Sequence, residues 1–530
     1  MRKLAALLFT IALFCASAWA SPGACPSGAN YLNPANPNGP LVTLTSLGVT
    51  GCYYFDIAGG ADSNTGTSEN SPQAHLPGMA DYTGSLVPTA ATGFILKGGD
   101  TWPNASFPIT WASSGASGSP IYIGVDKAWY AGSSWTRPVF NAGGSLIATH
   151  NNFVRMSGGG GGYTTWDNIE FTGYTWSGSA AYGEATFICA GACSGNSVTN
   201  VTITNNYFHH WNHGAATSDG LYILLGNTNS PYMSGSVISS NVFDNSDGDT
   251  ESGAALYGWS GTITDNILKN TTNGILIIGG GEVGANNIGP INSSFDPSVH
   301  ENCIESLGGS SPTWYIHDNI CHDGAVGEAS MLGNNGETDY VWNNLIYNWQ
   351  GNSYHFAQNS SQNITAMYFW NNTVVPASGA SCFVEVFSPI INNLVIQNNH
   401  CITTGPLTST LTGIGTQNIT YNVLETPTNA TNQGYTASET YAFSPTLSTG
   451  ATVGVGTTVC GGLLTCSGPL IAAQSDTSYA CTEQSVSGVI VPVCPARVSV
   501  ERLSSIDAGA YQYSNNNTPL PPTGVVAVAN

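Results

Sequence analysis

The chain has 530 residues, 41% of them hydrophobic and only 8% charged, and acids outnumber bases by 31 to nine. That balance repels nucleic acid and anionic lipid, so neither is expected as a partner. A polyanionic glycan would need a cation such as Ca²⁺ in between, and the apolar content is too high for disorder.

The first element is a leader. MRKLAALLFTIALFCASAWA sets Arg2 and Lys3 before an apolar run and ends in the small-x-small site Ala18-Trp19-Ala20. This reads as a signal peptide over 1–20, cleaved near Ala20, and not as a membrane anchor. No later stretch reads as a membrane helix, so no membrane insertion is expected, and the mature protein should be secreted or periplasmic. Removing Arg2 and Lys3 leaves seven basic residues against 31 acidic ones. Cys15 leaves with the leader, and twelve of the 13 cysteines remain. An even number in an exported chain points to disulfides. They fall in close pairs, Cys25/Cys52, Cys189/Cys193, Cys303/Cys321, Cys382/Cys401, Cys460/Cys466 and Cys481/Cys494, with connectivity open.

Residues 21–92 read as a lead-in segment and N-terminal cap. Over 93–430 a motif repeats: TITNNYF (Asn206), VISSNVF (Asn241), TITDNIL (Asn266), VGANNIG (Asn287), YIHDNIC (Asn319), YVWNNLI (Asn344), YFWNNTV (Asn372), VIQNNHC (Asn399) and NITYNVL (Asn422). TTWDNIEF (Asn168) is an earlier, less regular member. Such spacing means stacked units, and β-branched alternation with Gly and Asn at the corners excludes helical repeats. Each unit has a short strand before the Asn, one after it, a variable turn, and a Gly-led strand such as NGILIIGG (273–280). Three strands and three turns make one coil of a parallel β-helix, in which the recurrent Asn stacks at about 4.8 Å and hydrogen-bonds along a ladder. Residues 431–513 then read as a disulfide-tied C-terminal cap, and 514–530 as a Pro/Asn-rich tail.

On this repeat, over roughly residues 52–425, the sequence resembles the right-handed parallel β-helix (pectate-lyase-like) superfamily of exported bacterial type. YYFDIAGGADSNTGTSENSP (53–72) looks like that group's opening segment, GFILKGGDTW (93–102) like its first coil, and SSIDAGAYQY (504–513) like its closing strand. The resemblance implies an all-β right-handed parallel β-helix. It leaves activity open among polysaccharide lyases, glycoside hydrolases, epimerases and non-catalytic adhesins.

The variable turns before the Gly-led strands are where this superfamily builds its cleft. Lys269, on the shortest turn, is the only Lys or Arg between Arg155 and Arg497. Lysine or arginine serves the superfamily's lyases as the base, which marks Lys269, or else Arg155; the bland alternative is a surface lysine balancing acids. Asp244, Asp247, Asp249 and Glu251 crowd four carboxylates into eight residues, which suits Ca²⁺ or a solvated acidic loop equally. Glu305 is expected to point outward in one column with Tyr222, Leu276 and His355. With Glu301 and Asp219 it supplies the paired acids of a hydrolase, and His322 is a cleft neighbour. His209, His210 and His213 read as hydrogen-bonding turn residues, since HHxxH is poor ligand spacing. His317, Trp342 and Trp370 share the position two before the ladder Asn; their stripe would hold sugar rings or pack against the C-terminal segment. The expected function is cleavage of an extracellular polysaccharide, foremost by a Ca²⁺-assisted lyase. The alternatives are an adhesin-like β-helix or a hydrolase of neutral polysaccharide.

Overall fold

A computed structural model describes residues 21–37, 39–145, 152–176, 186–191, 198–213, 222–248, 254–291, 301–325, 327–357, 363–387, 390–435, 445–459, 464, 466, 470, 475–476, 481–494, 500–501 and 506–513. Its strands join in one 21-stranded and one 13-stranded sheet, with two small two-stranded sheets in the C-terminal segment. Pairing within the two large sheets is parallel, and each coil stacks on the last: Val237–Ser239 lies on Thr202–Thr204, and Val242–Asp244 on Tyr207–His209. The chain is a parallel β-helix. No helix among the described residues is long and apolar enough to cross a membrane.

The Asn ladder sets the corner. Asn206, Asn241, Asn266, Asn286, Asn319, Asn344, Asn372, Asn399 and Asn422 each pass a side-chain oxygen or amide to the next coil. The residue before each ladder Asn is left-handed, as at Asn205, Asp265, Asp318 and Asn343 (φ 54–61°). Asn and Asp tolerate that conformation best, which explains why Asn-Asn and Asp-Asn recur. Two ladder assignments are corrected. In VGANNIG the ladder residue is Asn286, because Ala285 takes the left-handed position (φ 52°). In TTWDNI it is Asn168 that takes the left-handed position (φ 58°). The register Asp167↔Thr204 then sets Ile169, not Asn168, level with Asn206.

Inside, one continuous apolar core runs the length of the stack. Phe171, Phe208 and Phe243 stack with ring centroids 4.8 and 4.9 Å apart, the strand spacing. One inward column breaks the apolar rule: Asp339 stands between Trp314 and Met367, fully buried. Beside it the buried Glu337 accepts a hydrogen bond from Ser306 Oγ at 2.6 Å.

Disulfides Cys25–Cys52, Cys303–Cys321, Cys382–Cys401 and Cys481–Cys494 are formed, each one of the close sequence pairs. The C-terminal segment does more than close the last coil. It runs back along the outside of the ladder corner. Val459 and Leu470 cover Trp342 and Trp370, the Cys481–Cys494 hairpin packs on Val242 and Ile267, and Ala510 and Tyr511 pack with Ile320 and Leu345.

Candidate functional site

Two of the coil's outer faces lie under that C-terminal segment along part of their length; the third, formed by the Gly-led strands, carries the predicted acids, although Cys189, Leu225, Leu276, Met331 and His355 on it are themselves buried. Strand register puts one outward column in order: Arg155, Cys189, Leu225, Tyr257, Leu276, Glu305, Met331, His355, Val384. Leu276, Glu305 and His355 share it as expected. Tyr222 does not, since it pairs with Thr186 three residues before Leu225; its ring instead stacks on Tyr257 at 4.3 Å. Cys189, Tyr222, Leu225 and Leu276 form a small apolar cluster outside the core.

Past Leu276 the face turns polar. Glu305 Oε2 accepts from Asn302 Nδ2 at 2.8 Å, which fixes the carboxylate on its strand. His355 is two strands further on. Its Nδ1 lies 3.4 Å from Glu328 Oε1, and its buried Nε2 has no hydrogen-bond partner. Burial drives the His355 pKa down to about 4, so the ring is neutral. Gly327, at φ 79°, lies against the backbone of the buried Glu301, with 2.6 Å from an added Cβ to Glu301 O, so only glycine fits. That close approach sets Glu328 beside Glu301. Glu305 and Glu328 thus lie on two neighbouring Gly-led strands, with the neutral His355 against Glu328 and the buried Glu301 at the head of the first. Glu328, though it lies in the turn HDGAVGE, was not singled out by sequence; its position after a cramped glycine at the head of a Gly-led strand was the available signal.

The other candidates lie elsewhere. Lys269 is on the post-ladder sheet, with Nζ 3.0 Å from Asp244 and 2.9 Å from Glu483 of the C-terminal hairpin. Burial acts to lower its pKa, but the two carboxylates prevail and raise it, the reverse of what a base needs. Arg155 does share the Glu305 column, but five strand steps away, roughly 24 Å. The expected cation loop does not fit in its described half. Asp244 accepts from Ser246 N–H and Oγ, Asn270 Nδ2 and Lys269. Asp247 takes His209 Nδ1 at 2.9 Å and the His210 N–H at 3.0 Å. Protein donors thus answer the repulsion a cation was invoked to relieve. Asp249, Glu251 and Asp219 lie outside the described residues. Among the described residues the metal-like grouping is Asp265 with Cys481 and Cys494, and those sulfurs are bonded to each other.

His209 is held between Glu170 (3.2 Å) and Asp247 (2.9 Å). His322 stacks on Tyr347, with Nδ1 on Asp323 and Nε2 on Asn287, on a different sheet from Glu305. The sugar-holding reading of the aromatic stripe is corrected. His317, Trp342 and Trp370 do stack, at 4.4 and 5.2 Å, but both indoles are 0% exposed beneath Val459 and Leu470. Two residues nearer the N-terminus on the same strands, Tyr315, Tyr340 and Tyr368 form a half-buried stack at 5.5 and 5.0 Å. The alignment that gave the Trp stripe also contained it.

No protein-family model and no curated protein sequence matches the chain. Among solved structures it is similar to the GH136 lacto-N-biosidase from Eubacterium ramulus, at 13% identity over 71% of this chain and 68% of that one, TM-score 0.44. It is similar to pectate lyase Pel9A at 14% identity over 87% and 96%, TM-score 0.38. The PL6 polysaccharide lyase from Pseudopedobacter saltans matches at 10% identity over 64% and 81%, TM-score 0.39.

Proposed function

We infer that the protein is an exported carbohydrate-active β-helix that hydrolyses a neutral polysaccharide laid along the outer face of the Gly-led strands. The observation that carries this reading is the pair Glu305 and Glu328 on neighbouring Gly-led strands, with the neutral His355 against Glu328. A glycosidic bond needs a carboxyl acid and a carboxylate base or nucleophile on either side. Glu305 and Glu328, on neighbouring strands, fill those two roles, and His355 holds Glu328. A lyase acting on uronates needs cationic groups near the reacting carbon. Lys269 is tied up on another sheet, and Arg155 is remote from the glutamates.

The test is release of new reducing ends from neutral and acidic polysaccharides by the mature protein, with absorbance of unsaturated uronates followed in parallel. Glu305→Gln and Glu328→Gln should each lower kcat by about 10²–10⁴-fold without loss of fold. Absorbance without a carboxylate requirement would return the assignment to a lyase. Tight binding without cleavage of any glycan would make the protein an adhesin.

A further inference from the structure

The opening coil carries a second chemical constellation, remote from the glutamates. Asp56 follows the strand Gly51–Phe55, Lys97 lies in the next strand Thr92–Gly98, and Asp100 is in the turn after it. The register Phe55↔Leu96 brings them together. Lys97 Nζ is 2.7 Å from Asp56 Oδ2. The Gly59 N–H donates to Asp56 Oδ1 at 2.6 Å. The Asp100 side chain hydrogen-bonds to that of Asp56, and its Oδ2 accepts from Ile57 N–H at 3.1 Å. Both aspartates are 5% exposed, and the Lys97 ammonium sits 5.9 Å from the Trp129 ring centroid.

An ordinary ion pair needs one carboxylate. Here a second carboxyl is bonded to the first, and two acids in contact must share a proton. We propose that Lys97 and Asp56 condense into an intramolecular isopeptide bond, with Asp100 relaying the protons. A proton passes from Nζ to the Asp56 carboxylate along their hydrogen bond, leaving a neutral amine against a neutral carboxylic acid. The nitrogen lone pair attacks Cγ, and the negative charge that develops on Oδ1 meets the Gly59 N–H, placed as an oxyanion donor. Asp100 gives its proton to Oδ2 and takes one from the nitrogen. The Cγ–Oδ2 bond breaks, one water leaves, and an amide joins Nζ to Cγ. Nothing is oxidised or reduced. Burial, then the contact with Asp56, pushes the Asp100 carboxyl up to about 6, which enlarges the protonated fraction that starts the relay. The bond would clamp the first two strands of the stack, where, among the described residues, the opening strand meets single bridges from Gly23 and Gln73 in place of an earlier coil.

The experiment is mass spectrometry of the full mature chain, reduced and denatured. The expected result is a mass lower than the sequence by one water, about 18 Da, and a branched peptide joining Lys97 to Asp56 after digestion. Asp100→Asn keeps the ion pair and removes the relay, and Lys97→Arg keeps the charge but not the amine. Both should fold, as judged by circular dichroism, and show the full mass. A wild-type chain of full mass after prolonged incubation in the folded state overturns the proposal. So does a branched peptide that persists in Asp100→Asn, which would remove Asp100 from the chemistry.

Discussion

His317 shows how one side chain can be chemical in appearance and structural in effect. Its ring lies between Asp318 at 2.8 Å and Glu282 at 3.1 Å, flat against Trp342. Burial opposes its charge, but the two carboxylates outweigh burial and raise its pKa to about 9. A histidine raised in the folded state contributes stability that is complete below its ordinary value of about 6.5 and lost as pH rises through about 9. Thermal melts should therefore show a fall in Tm between pH 7 and 10 that shrinks in His317→Gln; an unchanged slope would remove the ion triad from the balance. Lys269 belongs at the same scale. Lys269→Met leaves Asp244 buried without its cation and should cost about 1–3 kcal/mol. If the glutamate site is the working one, glycan cleavage by the folded variant should be unaffected.

At the scale of the element, the ladder is where polar groups do the work of the corner. Asn319 accepts from the Asn286 N–H and side-chain amide, and donates to Val283 O and Asn344. Asn319→Ala strands buried partners on both neighbouring coils, and should cost about 2–4 kcal/mol in denaturant unfolding. The inward Trp314–Asp339–Met367 column makes the opposite prediction. Burial first, and then the neighbouring Glu337, hold the Asp339 carboxyl far above the usual range. An acid raised in the folded state gives stability that is present at low pH and lost as pH rises. Asp339→Asn should therefore raise Tm more at pH 8 than at pH 5. A uniform change at both would mean that the acid pair does not share its proton.

At the scale of the whole molecule, the C-terminal segment decides which faces are available. The Cys481–Cys494 hairpin sets Glu483 on Lys269 and the Ile490 carbonyl on the Arg137 guanidinium, and Asn287 Nδ2 donates to Cys481 O. Reducing this disulfide should raise hydrogen exchange in 482–493 and in the strands beneath, Val242–Asp244 and Ile267–Lys269. Exchange in the far coils around Asn399 should not change. Uniform protection before and after reduction would show that the hairpin holds by packing alone.

The coil, its three strands and its Asn corner were legible in the sequence because they are local. β-Branched alternation, a left-handed residue and a ladder Asn all fall within a few positions of one another, and the disulfides lie between near neighbours. Even there Asn286 and Asn287 could not be told apart, since either Asn of a pair fits the pattern and only the stacking register chooses. The placement of Glu305 with Leu276 and His355 was also readable, because register follows from counting along aligned strands. The fates of Lys269, Trp342 and Trp370 were not. Each is covered by residues from 89 to 214 positions further along, and no periodicity says where a non-repeating segment will lie. Sequence by itself determined the β-helix and its outward columns, because neighbouring coils are bound by short-range rules. Only the tertiary structure decided which columns face solvent, because burial depends on contacts that span the whole chain.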